Sequence, residues 1–320
     1  MEIAPGLSRP AWTCPTWLAP RFIADARFSQ AYDALGDQRR ALLKGLIGDH
    51  FALTPPVQSL GAQCSHQLTS GLARHTRSAP RPFVLLLTDA SLDAPALFLA
   101  ALMPALCSGA AEVLVVRLGA GPGQPKGLPD ALPDALLTGC ELAGQERVAA
   151  LSPALCQRLL SECALSAQPG LVLYPDTPVL RRLIARPELR AQLDASALRL
   201  TPLRLPQRLG IWRDAPDQFD PAVLEFLFGS QVFEAGGATP GRRTAKPPTE
   251  AAFSAFAATR RDLLLVPEER VPKDRLAAGQ GTARLVVGQS RTGLWTWGEL
   301  SPELFLAVTQ AFGSAPATQS

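Results

Sequence analysis

Histidine is nearly missing from this chain of 320 residues: there are three, at positions 50, 66 and 75, and none follows. A metal centre assembled from several imidazoles is therefore not expected. Cysteine stops at Cys163, and the six present (Cys14, Cys64, Cys107, Cys140, Cys156 and Cys163) include no Cys-x-x-Cys pair. The last four lie in apolar runs, which fits reduced core thiols in a cytoplasmic protein. Charge of one sign is also lacking. The formal net charge is +3, and the arginines are scattered. No basic stripe argues for nucleic acid. The chain opens Met-Glu-Ile-Ala-Pro-Gly, with no basic region leading into an apolar one, so no targeting segment is expected. The uncharged stretch 94–110 holds Pro95 and Pro104 and is followed by Glu112. It is shorter than the roughly 20 residues that cross a bilayer, and it reads as a buried helix of a protein without a membrane partner. A Gly-x-Ser-x-Gly nucleophile elbow is absent as well.

What is present is a globular composition, 47% apolar and 18% charged. The length suits one large or two medium domains. The 30 prolines fall largely in loops and at expected helix starts, where a missing N–H matters least. Residues 1–21 read as an irregular arm whose Trp12 and Trp17 need a packing partner. Residues 28–48 have apolar residues at helical spacing, 56–73 read as a second helix, and 75–82 as a linker. From Phe83 onward strands and helices alternate. Strands are expected at 83–88, 112–117, near 147–149 and at 171–174, with helices at 94–107, 130–143, 152–164 and 177–185. A second alternation has strands 208–212, 262–266, 283–288 and 294–297 and helices 221–229, 250–259 and 302–312. Apolar strands joined by helices imply parallel sheets covered on both faces.

Several segments carry a likeness. Pro95-Ala-Leu-Phe-Leu-Ala-Ala-Leu-Met-Pro104 continues through Gly109 to Glu112-Val-Leu-Val-Val. Ala135 to Val148, Pro206 to Asp214, Asp220-Pro221 and Gly298-Glu-Leu-Ser-Pro-Glu303 follow in the same order. The whole resembles the histidinol dehydrogenase family, within the aldehyde-dehydrogenase-like superfamily. The resemblance implies an α/β fold of two Rossmann-like lobes with mostly parallel sheets. Residues 80–203 would form the nucleotide-binding-like lobe, and 22–79 plus 204–313 the second. Residues 1–21 would be an arm and 314–320 a tail. Family precedent also points to a homodimer, and to NAD-dependent oxidation of an amino alcohol at a zinc site.

The residues of that chemistry are altered. The zinc-binding Gln-x-x-His pair falls on Gln231 and Glu234, which also read as ordinary polar residues at an element end. The remaining family ligands, an Asp and a His, lie beyond the Ser-Pro-Glu match, and the residues after Glu303 here contain neither. Zinc is therefore not expected, and no metal ligands are assigned. The family's Glu-His base pair falls on Arg261 and Asp262. Arg261 cannot exchange protons near neutrality, which leaves Asp262, with Glu234, as the candidate catalytic carboxylates. The Gly-rich turn after the first strand is replaced by Thr88-Asp89-Ala90-Ser91-Leu92-Asp93, in which Asp93 reads as the cap of the next helix. The Gly-Pro-Gly-Asn loop is replaced by Tyr174-Pro-Asp176-Thr-Pro. Thr88, Asp89, Tyr174 and Asp176 are thus the candidate cofactor-binding positions. Gly119-x-Gly121-x-Gly123 reads as a plain loop rather than a dinucleotide fingerprint. Cys64 and His66, two apart on an expected helix, would point to different faces. Arg242, Arg243 and Lys246 mark a loop that is either solvated or an anion or partner contact. Two readings follow. One is a scaffold that has lost the zinc-dependent reaction and binds a small-molecule ligand or a protein partner. The other is an NAD(P)-dependent oxidoreductase of altered substrate class.

Overall fold

The structure, a computed structural model, describes residues 12–54, 62–70, 72–119, 132–239, 248–271 and 283–314. Its centre is a five-stranded parallel sheet in the order β5-β4-β3-β6-β7. The strands are β3 (Phe83–Thr88), β4 (Glu112–Leu118), β5 (Val148–Leu151), β6 (Leu171–Pro175) and β7 (Arg199–Leu203). Every residue of β3 is buried, as expected of a central strand covered on both faces. The connecting helices are α3 (Pro95–Cys107), α4 (Asp134–Leu142), α5 (Pro153–Leu165), α6 (Pro178–Ile184) and α7 (Pro187–Asp194). Prolines open most of them. Ser152 and Thr177 cap α5 and α6 by accepting from Leu155 N and Leu180 N, satisfying amides that the first helical turn leaves free.

A four-stranded parallel sheet follows, in the order β11-β10-β8-β9. It comprises β8 (Leu209–Arg213), β9 (Phe233–Gly237), β10 (Arg261–Val266) and β11 (Ala283–Gly288), with helices α8 (Pro221–Phe228) and α9 (Glu250–Ala257). The sequence reading has no strand at Phe233–Gly237, where β9 lies. The expected strand at 294–297 is irregular, and its Trp295 and Trp297 are buried.

One core cluster runs between the two sheets. Val84, Leu86, Val115 and Leu173 of the first sheet share it with Leu209, Ile211, Leu263 and Leu265 of the second. Helix α3 lies in it with every residue but Leu106 buried, and Trp297 Nε1 donates to Leu97 O at 3.2 Å. A helix apolar all round is a helix with packing on all sides. The alternate residues Phe83, Leu85 and Leu87 turn to the opposite core, with Leu159 and Leu160 of α5. Trp12 and Trp17 pack against that core, Trp12 on the Phe83 ring with centroids 4.4 Å apart.

Two N-terminal helices, α1 (Asp25–Ala34) and α2 (Asp37–Leu53), replace the single helix expected at 28–48. Gly36 separates them. His50 is buried on α2, and its Nε2 has no hydrogen-bond partner among the described residues. Burial pulls its imidazole down from 6.5 to about 4, with Asp49 acting weakly the other way.

The sequence reading fails at a third, antiparallel sheet in the order β1-β2-β12. Residues 56–73 are not a helix, and 75–82 are not a linker: β1 (Ala62–Gln67) pairs with β2 (Leu72–Pro80). Nor is 302–312 a helix. After a short 3-10 turn at Pro302–Phe305, β12 (Leu306–Ser314) pairs with β2 from Leu306↔Pro80 to Ser314↔Leu72. Pairing between segments this far apart in sequence overrides local preference, and Val308 and Thr309 are β-branched. Arg81, buried between β2 and β3, ties this sheet to the rest. Its Nε donates to Leu304 O at 2.7 Å and its Nη1 to Pro169 O at 2.8 Å. Burial lowers its pKa, and the nearby Arg199 adds to that effect.

Candidate functional site

In a parallel sheet wound in two directions, ligands bind outside the carboxyl ends of the strands where the winding reverses. From β3 the chain first runs outward to β4 and β5, then returns to β6 and β7 on the other side. The reversal lies between β3 and β6. Thr88 ends β3, fully buried, with its hydroxyl unpartnered among the described residues. Asp89 follows. Its Oδ1 accepts from Ser91 N at 3.0 Å and Ser91 Oγ at 2.5 Å. Its Oδ2 accepts from Thr177 Oγ1 at 2.6 Å, which joins the end of β3 to the turn after β6. Asp176 pairs with Arg181 at 2.7 Å.

Thr88 and Asp89 thus lie at the end of β3, and Asp176 directly precedes Thr177, the partner of Asp89. Tyr174 departs from them: it joins the core on the far face of the sheet, where burial, then Asp176, raises its phenol. Asp93 is not the helix cap. Ala94 holds that position without a side-chain bond, and Asp93 instead pairs with Arg117 at 2.5 and 3.1 Å. Arg117, next to last in β4, is almost wholly buried, and a buried guanidinium demands a carboxylate more strongly than a helix end does. Glycine at such a turn lets amides approach a diphosphate. Here a carboxylate occupies the turn, and it takes the available donors for itself. The corner does not fit a dinucleotide diphosphate.

The two candidate catalytic carboxylates sit at the opposite edge of the other sheet. Asp262 is the second residue of β10, and its Oδ2 accepts from Gln207 N at 2.8 Å and Arg208 N at 3.0 Å. It fastens the crossing segment between the sheets. Glu234 is the second residue of β9 and reaches Arg261 at 2.8 Å. Arg261 is buried, donates to Phe256 O and stacks over the Phe256 ring at 3.9 Å. Both carboxylates therefore lie at the amino ends of their strands and are engaged in holding structure. Each of the two candidate carboxylates is thus held by protein groups of its own. Gln231 and Glu234 do not share a helix either, because α8 ends at Phe228 and Gly229 (φ 59°) turns the chain. Among the described residues no group of three or more His, Cys, Asp or Glu side chains is placed to hold a metal ion.

The second sheet has its own reversal, between β8 and β10. There Asp214 accepts from Trp212 Nε1 at 3.0 Å and Arg270 Nε at 2.6 Å. Arg270 also reaches Glu250 at 2.7 Å. Burial raises the Asp214 carboxyl, but the bonds from Arg270 and Trp212 outweigh it and hold the pKa low. Glu268 accepts from Ser290 Oγ at 2.8 Å. None of these residues was singled out from the sequence. Their signal was positional, since Asp214 directly follows β8 and Glu268 stands two residues past the end of β10.

Cys64 and His66 are on a strand, not a helix, so residues two apart share a face; Sγ and Nε2 are 3.0 Å apart and exposed. Burial pushes the Cys156 and Cys163 thiols up to about 12, Cys14 and Glu162 adding to it at Cys163. Gly121, Gly123, Arg242, Arg243 and Lys246 lie outside the described residues. No described helix is long and apolar enough to cross a membrane.

No family model matches the sequence, and no curated protein matches it. Solved structures align with the chain at low similarity. Histidinol dehydrogenase from Elizabethkingia anophelis aligns with a TM-score of 0.49 and 9% identity, over 92% of this chain and 76% of that one. An aldehyde dehydrogenase from Brucella melitensis biovar abortus 2308 gives 0.44 and 11%, over 92% and 91%. An NAD-dependent benzaldehyde dehydrogenase from Corynebacterium glutamicum gives 0.43 and 12%, over 90% and 84%.

Proposed function

We propose that this chain is a divergent histidinol-dehydrogenase-like protein that keeps the two-sheet scaffold, lacks the zinc-dependent alcohol oxidation, and binds a ligand or partner instead. One observation carries the reading: the Asp89 carboxylate is lodged between Ser91 and Thr177 at the reversal of the first sheet. A dinucleotide needs donors at that corner, and a carboxylate repels its phosphates. Two further facts support it. Asp262 is committed to the amides of Gln207 and Arg208, and Glu234 to Arg261. The charges at the corner are Asp89, Asp93 and Asp176 against Arg117 and Arg181, and the last four of these pair with one another. The excess carboxylate is Asp89. Such a corner favours a ligand that donates hydrogen bonds, an amine or a hydroxyl, over one that carries phosphate.

The test is titration calorimetry with NAD+, NADH and NADP+, together with an absorbance assay for NADH formation from histidinol in the presence of zinc. No saturable heat and no turnover are expected. Saturable dinucleotide binding abolished by Thr88→Trp, which would fill the corner, would overturn the reading, as would any zinc-dependent NADH formation.

A further inference from the structure

Arg213, the last residue of β8, has no partner for its charge among the described residues. It is 7% exposed. Its Nε is sealed from solvent with no acceptor, and no hydrogen bond or ion pair reaches its guanidinium from any described residue. Only burial acts on it, lowering its pKa. A buried guanidinium without a carboxylate loses solvation that no described residue returns.

A suitable carboxylate is adjacent in sequence and is not used. Asp214 turns to Trp212 and Arg270. Glu250 is taken by Arg270, and Glu268 by Ser290. The other buried arginines all have acceptors: Arg81 holds carbonyls, Arg117 holds Asp93, and Arg261 holds carbonyls and Glu234. Arg213 is the exception, and its place is informative. Strand alternation puts it on the same face as Leu209 and Ile211, the side turned to the main core. It stands at the carboxyl end of β8, where the second sheet reverses direction. That is the position at which parallel sheets receive ligands. A planar guanidinium with free N–H groups matches an oxyanion with two oxygens to offer.

We propose that Arg213 is the anchor of an anion-binding site at the carboxyl edge of the second sheet, for a ligand bearing a carboxylate or a phosphate. The site is separate from the Asp89 corner and opposite to it in charge preference.

The test uses the full chain and two probes, inorganic phosphate and acetate, each against sodium chloride of matched ionic strength. Melting temperature is followed as the probe is raised. A saturable rise with phosphate assigns a phosphate site, and one with acetate assigns a carboxylate site; either supports the proposal. Arg213→Met should abolish the rise. Without any anion it should melt no lower than the unsubstituted protein, because it removes an unpaired buried charge. Arg213→Lys, which keeps the charge and loses the fork, should retain a rise with at least tenfold weaker affinity, and it serves as the readout if the Met variant does not fold. The proposal is overturned if neither anion gives a saturable rise, or if the rise survives Arg213→Met. It is also overturned if Arg213→Met folds but melts well below the unsubstituted protein without anion. Dinucleotide binding that survives Arg213→Met would count against the Asp89 reading and leave this one intact, so the two can fail separately.

Discussion

His50 makes the stability of this protein depend on pH in a calculable way. Its imidazole titrates at about 4 when folded, against 6.5 when unfolded, because burial penalises the charged form. Below 6.5 the unfolded chain takes up a proton that the folded chain refuses. The contribution is therefore fully present above pH 6.5 and is lost as pH falls toward the folded value. A gap of this size corresponds to about 2 kcal/mol lost between pH 7.5 and 5, and about 3 kcal/mol by pH 4. The assay is urea denaturation at pH 7.5, 6 and 5, on the unsubstituted chain and on His50→Leu, which keeps an apolar group of similar reach. The neighbouring Asp49–Arg291 pair at 2.6 Å is present in both. The difference between the two proteins should change by about 2 kcal/mol over that range, with the variant less dependent on pH. Parallel pH profiles, within about 0.5 kcal/mol, would refute the reasoning, because a surface His titrates alike in both states.

Three other substitutions probe how the sheets are held. Gly170→Ala places a Cβ 2.2 Å from the Phe83 ring; overpacking there should cost about 1–3 kcal/mol, read as a lowered urea midpoint. Arg81→Met removes the donors to Leu304 O and Pro169 O. Against the relief of a buried charge, a net loss of about 2–4 kcal/mol is expected, with faster proteolysis within β12. Asp262→Ala should cost about 1–3 kcal/mol by stranding the Gln207 and Arg208 amides. If Asp262 were instead a catalytic base, the same variant would keep its melting temperature.

The parallel sheets were legible because each strand carries its own evidence. Phe83–Thr88 and Leu171–Pro175 are apolar runs bounded by turns, and Ser152-Pro153, Thr177-Pro178 and Asp220-Pro221 announce the helices that follow. The third sheet was not legible because its evidence is relational. β1 is exposed along its whole length, so no alternation of burial was written into it, and β12 becomes a strand through pairing with a segment more than two hundred residues earlier. The corner of Thr88, Asp89 and Asp176 was found from its missing glycines. The surroundings of Asp262 and Glu234 were not legible for a different reason: sequence places a residue in a strand but does not say which end of the sheet faces a ligand. The partners that occupy them, Gln207, Arg208 and Arg261, become visible only in three dimensions.

The burial of α3 on every side has a consequence for how such a protein can be inherited. The helix is encoded within the first alternation, yet Trp297, near the end of the second, donates to its backbone, and residues of both sheets share its core. Neither sheet could be cut out and moved into another gene as a working module. Each would arrive with half of a core exposed and a helix missing one of its walls. The two halves can change their surfaces, corners and ligands independently, but their ancestry is bound to be joint.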